Sequence, residues 1–205
     1  MNDLTLLTEF KKLLNNINID IEQYQIKDPS AGSSAYIIFT STGFQALVFY
    51  RISKFFWDLR MKWISFLIHY FSKILFSVDI HPGANLEAGV VIDHGIGTVI
   101  GETASVGSGT LIYHKVTLGN RVVINGKRHP DIGRNVTIGA GAKILGPIYI
   151  GDNAKIGANS VVLHHVCKND TVVGIPAKSI QKKKEINYEY NKDYWQHTYS
   201  KDKKD

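Results

Sequence analysis

Residues 131–163 read DIGRNVTIGAGAKILGPIYIGDNAKIGANSVVL, with an aliphatic residue at every sixth position. Glycine often follows that aliphatic residue, and a small or β-branched residue usually stands four positions after it. Six residues do not match the period of an α-helix, and strands joined by ordinary loops would not repeat so regularly. We therefore interpret the stretch as hexapeptide repeats, in which each unit forms a short strand and a turn.

The same repeat extends back to Ile80 with two interruptions, one of two residues near His94 and one of eight residues between Leu118 and Ile132. About three units close a triangular coil, and the aliphatic residues of successive coils stack into an interior column. Because one coil cannot bury its own column, the coils must stack, and a β-sandwich with coincidental hexads explains the pattern less well. The sequence thus predicts a mainly β fold built as a parallel β-helix. The thirteen aliphatic positions are Ile80, Leu86, Ile92, Ile100, Val106, Ile112, Leu118, Ile132, Ile138, Ile144, Ile150, Ile156 and Val162.

The first part of the chain lacks the repeat. Apolar residues recur with helical spacing between Leu4 and Tyr24, and residues 28–34 have the composition of a loop. Residues 43–76 carry apolar side chains almost all round, as expected of helices buried between other elements. We predict a small α-helical N-terminal domain over residues 1–77. The β-helix then covers residues 78–180, and a charged tail covers residues 181–205.

Charge and composition argue against several classes of protein. The chain has 205 residues, 44% of them hydrophobic, and a net charge of +6. Residues 178–205 mix eight lysines with five acidic residues, so a folded face that binds nucleic acid is not expected. The apolar stretch from Trp63 to Val78 is interrupted by His69 and Lys73 and is too short to span a bilayer. It could lie on a membrane surface, but packing within the protein is the simpler interpretation.

The cysteine count and the N-terminal sequence bear on the compartment. Cys167 is the only cysteine, which excludes an intrachain disulfide. No positively charged start followed by an apolar run and a small-residue cleavage site precedes the first helix. We therefore expect a cytoplasmic protein.

The two interruptions hold residues that the repeat does not need, Asp93-His94 and Arg128-His129. The repeat itself resembles that of the hexapeptide acyltransferases, which implies a left-handed coil, a trimer, and acyl-CoA between neighbouring subunits. Acetyl transfer from a thioester to a hydroxyl needs a base, and histidine titrates at a suitable pH of about 6.5. Asp79 lies about one coil below His94, where its carboxylate could fix the histidine tautomer. A surface histidine in a turn and an aspartate that only forms a turn are the alternatives.

Longer motifs carry a more specific resemblance, over roughly residues 26–180. They are Lys27-Asp28-Pro29, Gly43-Phe44-Gln45-Ala46-Leu47, Asp79-Ile80-His81-Pro82-Gly83-Ala84, Asp93-His94, Gly101-Glu102-Thr103-Ala104, Val116-Thr117-Leu118-Gly119, Arg128-His129-Pro130 and Gly139-Ala140-Gly141-Ala142-Lys143-Ile144-Leu145-Gly146. These motifs resemble those of the serine acetyltransferase family, which makes O-acetylserine for cysteine synthesis. The upstream motifs align without a gap as far as Asp79, which argues against a generic hexapeptide protein.

The resemblance implies a role for each matched residue. His94 would be the general base and Asp79 its partner. The amino and carboxylate groups of serine would be held by Asp28, Asp93, Arg128 and His129. This agrees with their chemistry, because carboxylates suit an ammonium and an arginine fork suits a carboxylate. Serine would attack the thioester directly in a ternary complex, since Cys167 lies in a late repeat away from these motifs.

Acetyl-CoA would lie along the later coils as the co-substrate, and no metal is expected. Small residues at Gly119, Ala140 and Ala158 would let the pantetheine approach, and Lys155 or Lys178 would be available to its phosphates. Tight turns of the coil explain the glycine and the alanines equally well.

The sequence also departs from the family pattern. The second interruption reads Asn120-Arg121-Val122-Val123-Ile124-Asn125-Gly126-Lys127 instead of a glycine-rich segment with an acidic residue before the Arg-His pair. The helical region is shorter than in the long bacterial enzymes, so a homotrimer is expected, with a hexamer as the alternative. The tail ends in Lys203-Lys204-Asp205, without the isoleucine with which the family docks into the sulfhydrylase. A tight complex of that kind is therefore not expected.

Three functions follow from these observations. The leading hypothesis is a serine O-acetyltransferase. The altered loop and the aromatic helix motivate the main alternative, an O-acetyltransferase that acts on a sugar or a surface-polysaccharide unit. A catalytically inactive β-helix that serves as a scaffold is the third, and the presence of both Asp79 and His94 argues against it.

Overall fold

The structure is a computed structural model that describes residues 3–27, 33–121 and 125–180. Its N-terminal part is helical, as the sequence predicts. Ser33 and Ser41 begin two of the helices, because their side-chain oxygens accept hydrogen bonds from the backbone N–H groups of Tyr36 and Phe44. The helices are α1 (Asp3–Lys27), α2 (Ser34–Thr40), α3 (Thr42–Asp58) and α4 (Lys62–Phe76).

Very short strands follow and form three sheets, one on each side of a prism. Parallel neighbours in each sheet come from successive coils, so Val99 pairs with Thr117 and Thr117 with Lys143. The chain thus forms the left-handed parallel β-helix that the sequence predicts. The strands are β1 (Asp79–Ile80), β2 (Asn85–Leu86), β3 (Val91–Ile92), β4 (Val99–Ile100), β5 (Ser105–Val106), β6 (Leu111–Ile112), β7 (Thr117–Gly119), β8 (Asp131–Ile132), β9 (Thr137–Ile138), β10 (Lys143–Leu145), β11 (Tyr149–Ile150), β12 (Lys155–Ile156), β13 (Val161–Val162), β14 (Thr171–Gly174) and β15 (Ala177–Ser179).

The interior column is built from the repeat. All thirteen aliphatic positions are at most 4% exposed. Each is the last residue of one of the strands β1 to β13, except in β7 and β10, which continue for one more residue. The sheet orders are β1-β4-β7-β10-β13, β11-β8-β5-β2 and β15-β14-β12-β9-β6-β3, with only β15 antiparallel to its neighbour. We call the first of these the first sheet. The prediction of stacked coils around an aliphatic column is confirmed.

Buried polar groups join the helices to the second and third strands. Tyr24 donates its hydroxyl hydrogen to the carbonyl of Ile92 and accepts the N–H of Ile92, both at 2.9 Å. The buried Arg51 pairs with Asp20 at 2.9 Å and also donates to the carbonyl of Leu86. These contacts satisfy backbone groups at the edge of the coil, and they fix the segment that ends immediately before Asp93.

One expectation for the helical region is wrong. α4 was expected to be buried on all sides, but one of its faces is exposed in the single chain. In the described part of the chain α4 packs mainly against α3, β1 and the ring of His81, which leaves its far side uncovered. No helix in the described part of the chain is long and apolar enough to cross a membrane. The exposed apolar residues of α4 are Trp63, Phe66, Leu67, Tyr70, Phe71, Ile74 and Leu75.

Candidate active site

His94 projects from a corner of the prism. The turns that precede the strands of the first sheet stack on one another, and we call residues 93–98, 113–116, 139–142 and 157–160 the leading corner. The first of these turns carries the two-residue interruption, and His94 adopts a left-handed conformation there with φ of 60°. Its side chain is 73% exposed. A histidine in this uncommon conformation and so exposed is available to a ligand.

Small residues lie above His94 on the leading corner. The ring of His94 contacts that of His114 edge to face, with 6.1 Å between their centroids. Hydrogen bonds join this turn to the turns above it. The N–H of Gly141 in the next coil donates to the His114 carbonyl, and the N–H of Asn159 in the coil above that donates to the Ala140 carbonyl. The corner therefore continues from His94 past two turns that contain Ala140 and Ala158 and have no bulky side chain.

Asp79 is held by helix α4. Its Oδ1 atom lies 2.7 Å from Nε2 of His69, and its Oδ2 atom lies 2.9 Å from Nζ of Lys73. The hydrogen bond from His69 contributes most to lowering the pKa of Asp79 to about 2, and Lys73 adds to this effect. The carboxylate is therefore ionised throughout the neutral range.

The described contacts do not join Asp79 to His94. The carboxylate nearest to His94 is that of Asp93, with 3.6 Å between Nε2 and Oδ1. Asp79 starts β1 and pairs with Val99 one coil above, whereas His94 lies in the turn before β4. The two residues thus lie at the same side of the first sheet, as expected from their spacing, but the carboxylate points to α4.

A second group of polar residues lies on the turns that follow the strands of the first sheet. We call residues 81–84, 101–104 and 125–130 the trailing corner. Arg128 forms an ion pair with Glu102, which lowers the pKa of that carboxyl. His129 is 7% exposed and lies where a side chain at position 101 would be, since a Cβ on Gly101 would come within 2.1 Å of its ring. Only glycine fits beneath the histidine.

Two histidines on the trailing corner are held neutral. Burial is the largest cause that lowers the pKa of His129, and the positive charges of Arg128 and Lys127 add to it. Burial likewise lowers the pKa of His81, whose Nδ1 accepts the N–H of Gly83 at 3.0 Å. Both rings are therefore expected to stay uncharged at neutral pH.

The remaining predicted residues occupy several positions. Gly119 ends β7, next to the second interruption, and its neighbour across the sheet is Leu145. Lys155 on β12 and Lys178 on β15 are exposed on another side of the prism. Asp28 lies outside the described residues. Neither His69 nor Lys73 was among the predicted site residues, although their spacing of four residues in a helix places them on one face.

The two groups are separated within one chain. His94 and Asp93 precede β4, whereas the side chains of Arg128 and His129 lie beside Gly101 and Glu102, which follow β4. One face of the prism therefore separates the exposed histidine from the arginine. A ligand as small as an amino acid cannot reach both corners of one subunit.

Comparisons with known proteins define the class of this fold and site. The model of the bacterial transferase hexapeptide (six repeats) matches residues 129–164. The serine acetyltransferase of Synechococcus elongatus is 47% identical over 171 residues, which cover 83% of this chain and 68% of that protein. The serine acetyltransferase of Helicobacter pylori strain 26695 is 40% identical, with 82% and 98% covered. The chain is therefore an acyltransferase with hexapeptide repeats.

Solved structures agree with this class. The serine acetyltransferase of Neisseria gonorrhoeae in complex with serine has a TM-score of 0.80 and 39% identity, with 85% of this chain and 72% of that chain covered. A serine acetyltransferase in complex with CoA has a TM-score of 0.80 and 36% identity, with 86% and 73% covered. The chain belongs to the serine acetyltransferase family.

Proposed function

We propose that the protein transfers the acetyl group of acetyl-CoA to the hydroxyl of L-serine, giving O-acetylserine and CoA. The main support is a set of side chains in this member of the serine acetyltransferase family. The exposed His94 lies beside the carboxylate of Asp93, and the same chain carries Arg128 and the neutral His129. Relatives in that family were crystallised with serine and with CoA. A neutral sugar acceptor has no group that needs an arginine fork.

The proposed reaction is a direct transfer. His94 accepts the hydroxyl proton of serine while the hydroxyl oxygen attacks the thioester carbonyl. The C–O bond forms, the C–S bond breaks, and the imidazolium returns its proton to the CoA sulfur as it leaves. Asp79 assists if its carboxylate takes His94 as a further partner. This is compatible with its bonds to His69 and Lys73, because a carboxylate offers about four lone-pair sites.

Substrate recognition follows from charge. In the proposal, the carboxylate of Asp93 accepts hydrogen bonds from the serine ammonium, and Arg128 and His129 donate to the serine carboxylate. Asp28 is assigned to the ammonium by resemblance alone.

Acetyl-CoA lies along the leading corner, past Ala140 and Ala158. Gly119, at the opposite edge of the first sheet, is the third small residue assigned to its binding site. The exposed ammonium groups of Lys155 and Lys178 are the candidates for its phosphates. Because acetyl-CoA and serine are cytoplasmic metabolites, we place the protein in the cytoplasm.

The proposed active site is shared between copies of the chain in a homotrimer. The leading corner with His94 and the trailing corner with Arg128 lie on opposite edges of the first sheet. Three prisms around a threefold axis bring the leading corner of each subunit to the trailing corner of the next. The exposed apolar face of α4, with Trp63 73% exposed, supports self-association as well. A hexamer remains the alternative. The C-terminal tail, from which no tight sulfhydrylase complex is expected, lies outside the described residues.

Shared sites predict complementation between inactive variants. Co-expression of His94→Asn with Arg128→Ala chains in equal amounts is expected to restore about a quarter of the wild-type sites. In random assembly each shared site has an intact His94 about half the time and an intact Arg128 about half the time. Each variant alone should be inactive or nearly so. Light scattering should report a trimer. No recovery in mixed trimers, or a protein that is mainly monomeric, would contradict a shared site.

The acceptor is tested by acetyl-CoA consumption, followed as free thiol release. We expect saturable release with L-serine at millimolar concentration or below, and little release with a panel of sugars and nucleotide sugars. D-serine is the matched control, since it carries the same groups with the opposite handedness. Release with a sugar alone would overturn the proposal and would assign the acceptor site to the altered loop at residues 120–127.

A further inference from the structure

Thr103 lies at the centre of the trailing corner. It belongs to the turn 101–104 that follows β4, and the second interruption returns to it. The backbone N–H groups of Arg128 and His129 both donate to Oγ1 of Thr103, each at 3.1 Å. The ammonium of Lys127 donates to the Thr103 carbonyl at 2.6 Å and also pairs with Asp131. Consecutive residues of the interruption are thus fixed to one threonine.

The side chain of His129 also bonds to Thr103. Its Nδ1 atom lies 2.9 Å from Oγ1 of Thr103 and 3.2 Å from the backbone nitrogen of Thr103. A hydroxyl has one hydrogen and two acceptor lone pairs. Because Oγ1 already accepts two backbone N–H groups, its own hydrogen is free to go only to Nδ1. Two donors, the hydroxyl and the backbone N–H, therefore converge on this nitrogen.

A nitrogen that accepts two hydrogen bonds cannot carry a hydrogen itself. His129 is consequently neutral and carries its hydrogen on Nε2. Protonation of Nδ1 would break both bonds with Thr103, and the lowered pKa of His129 agrees with this. No described residue accepts a hydrogen bond from Nε2. The ring thus offers one fixed donor that has no partner within the described part of the chain.

We propose that Thr103 is a positioning residue that locks His129 in the Nε2–H tautomer, so that His129 can only donate, to a carboxylate oxygen of the acceptor. This rests on the proposed function for the identity of the acceptor, but the lock itself does not. It gives the two histidines different roles. His94 is exposed and is the proposed base, whereas the accepting nitrogen of His129 is already occupied.

The ring nitrogens of His129 test the lock directly. In protein labelled with ¹⁵N-histidine, with His129→Gln to assign the signals, Nδ1 of His129 is expected to remain unprotonated between about pH 6 and pH 8. Thr103→Ser keeps the hydroxyl and should preserve this signature. Thr103→Val keeps the shape and removes the hydroxyl, so Nδ1 should become partly protonated. A protonated Nδ1 in the wild-type protein would overturn the lock. An unchanged signature in a folded Thr103→Val protein would show that the hydroxyl does not hold the tautomer, and would overturn the role of the Thr103 side chain.

Steady-state kinetics test the consequence for substrate binding. Thr103→Val is expected to raise the KM for L-serine about tenfold and to change the KM for acetyl-CoA little, as for the loss of one oriented hydrogen bond. Thr103→Ser should restore the wild-type value. Equal losses in both variants would overturn the positioning role. If serine is not turned over but the nitrogen signature holds, the proposed function fails and the lock stands.

Discussion

Replacement of His94 by asparagine is expected to lower kcat by about 10²- to 10⁴-fold, as for the loss of a general base. Asparagine is the informative substitution because His94 adopts a φ of 60°, a conformation that asparagine tolerates well. The side chain is 73% exposed, so its removal leaves no cavity. Thiol release at saturating acetyl-CoA and serine measures the effect.

Two controls separate chemistry from folding. His164→Asn removes another exposed histidine from a turn of the β-helix, and its kcat should stay close to that of the wild-type protein. The temperature of unfolding and the oligomeric state of His94→Asn should match the wild type. A folded His94→Asn protein that retains kcat within a few-fold of the wild type would exclude His94 as the base.

Gly43→Ala is expected to destabilise the contact between the helical region and the β-helix. A Cβ at position 43 would lie 1.9 Å from the carbonyl oxygen of Ile92, which belongs to the backbone and cannot turn aside. α3 or β3 must therefore shift, which costs about 1–3 kcal/mol or more. Denaturant unfolding should show this loss.

The same substitution should reduce activity through position. Ile92 immediately precedes Asp93 and His94, and the Cα of Gly43 also lies against Gly95, so a shift of β3 displaces the proposed base. A displacement of about 1 Å can lower the rate by about 10²-fold. Gly119→Ala is the matched control for stability, because its added Cβ would meet one methyl group each of Leu145 and Thr117, at 3.0 and 3.2 Å, and no backbone atom beyond its chain neighbours closer than these. Equal stability of Gly43→Ala and wild type would show that the contact is not tight.

The sequence singled out candidate site residues but not their contacts. His94 and Arg128 stood out because they interrupt a regular repeat, and the structure puts them on the surface at two corners. The partners of Asp79 were not predicted, because His69 and Lys73 belong to a helix whose crossing angle over β1 is not encoded in a local pattern. Thr103 stands in one of the family motifs, but its contacts were not predicted, since they depend on where the second interruption packs against the turn 101–104.

By itself the sequence determined the coil and its interior. A hexapeptide repeat needs only the neighbouring coil to bury its aliphatic residue, so the local period fixes the strands, the turns and the column from Ile80 to Val162. The tertiary structure decided which polar groups meet. α4 holds Asp79, Thr103 holds His129, and one face of the prism separates His94 from Arg128. These relations depend on the packing of distant segments, because hydrogen bonds are directional and short, and no period along the chain specifies them.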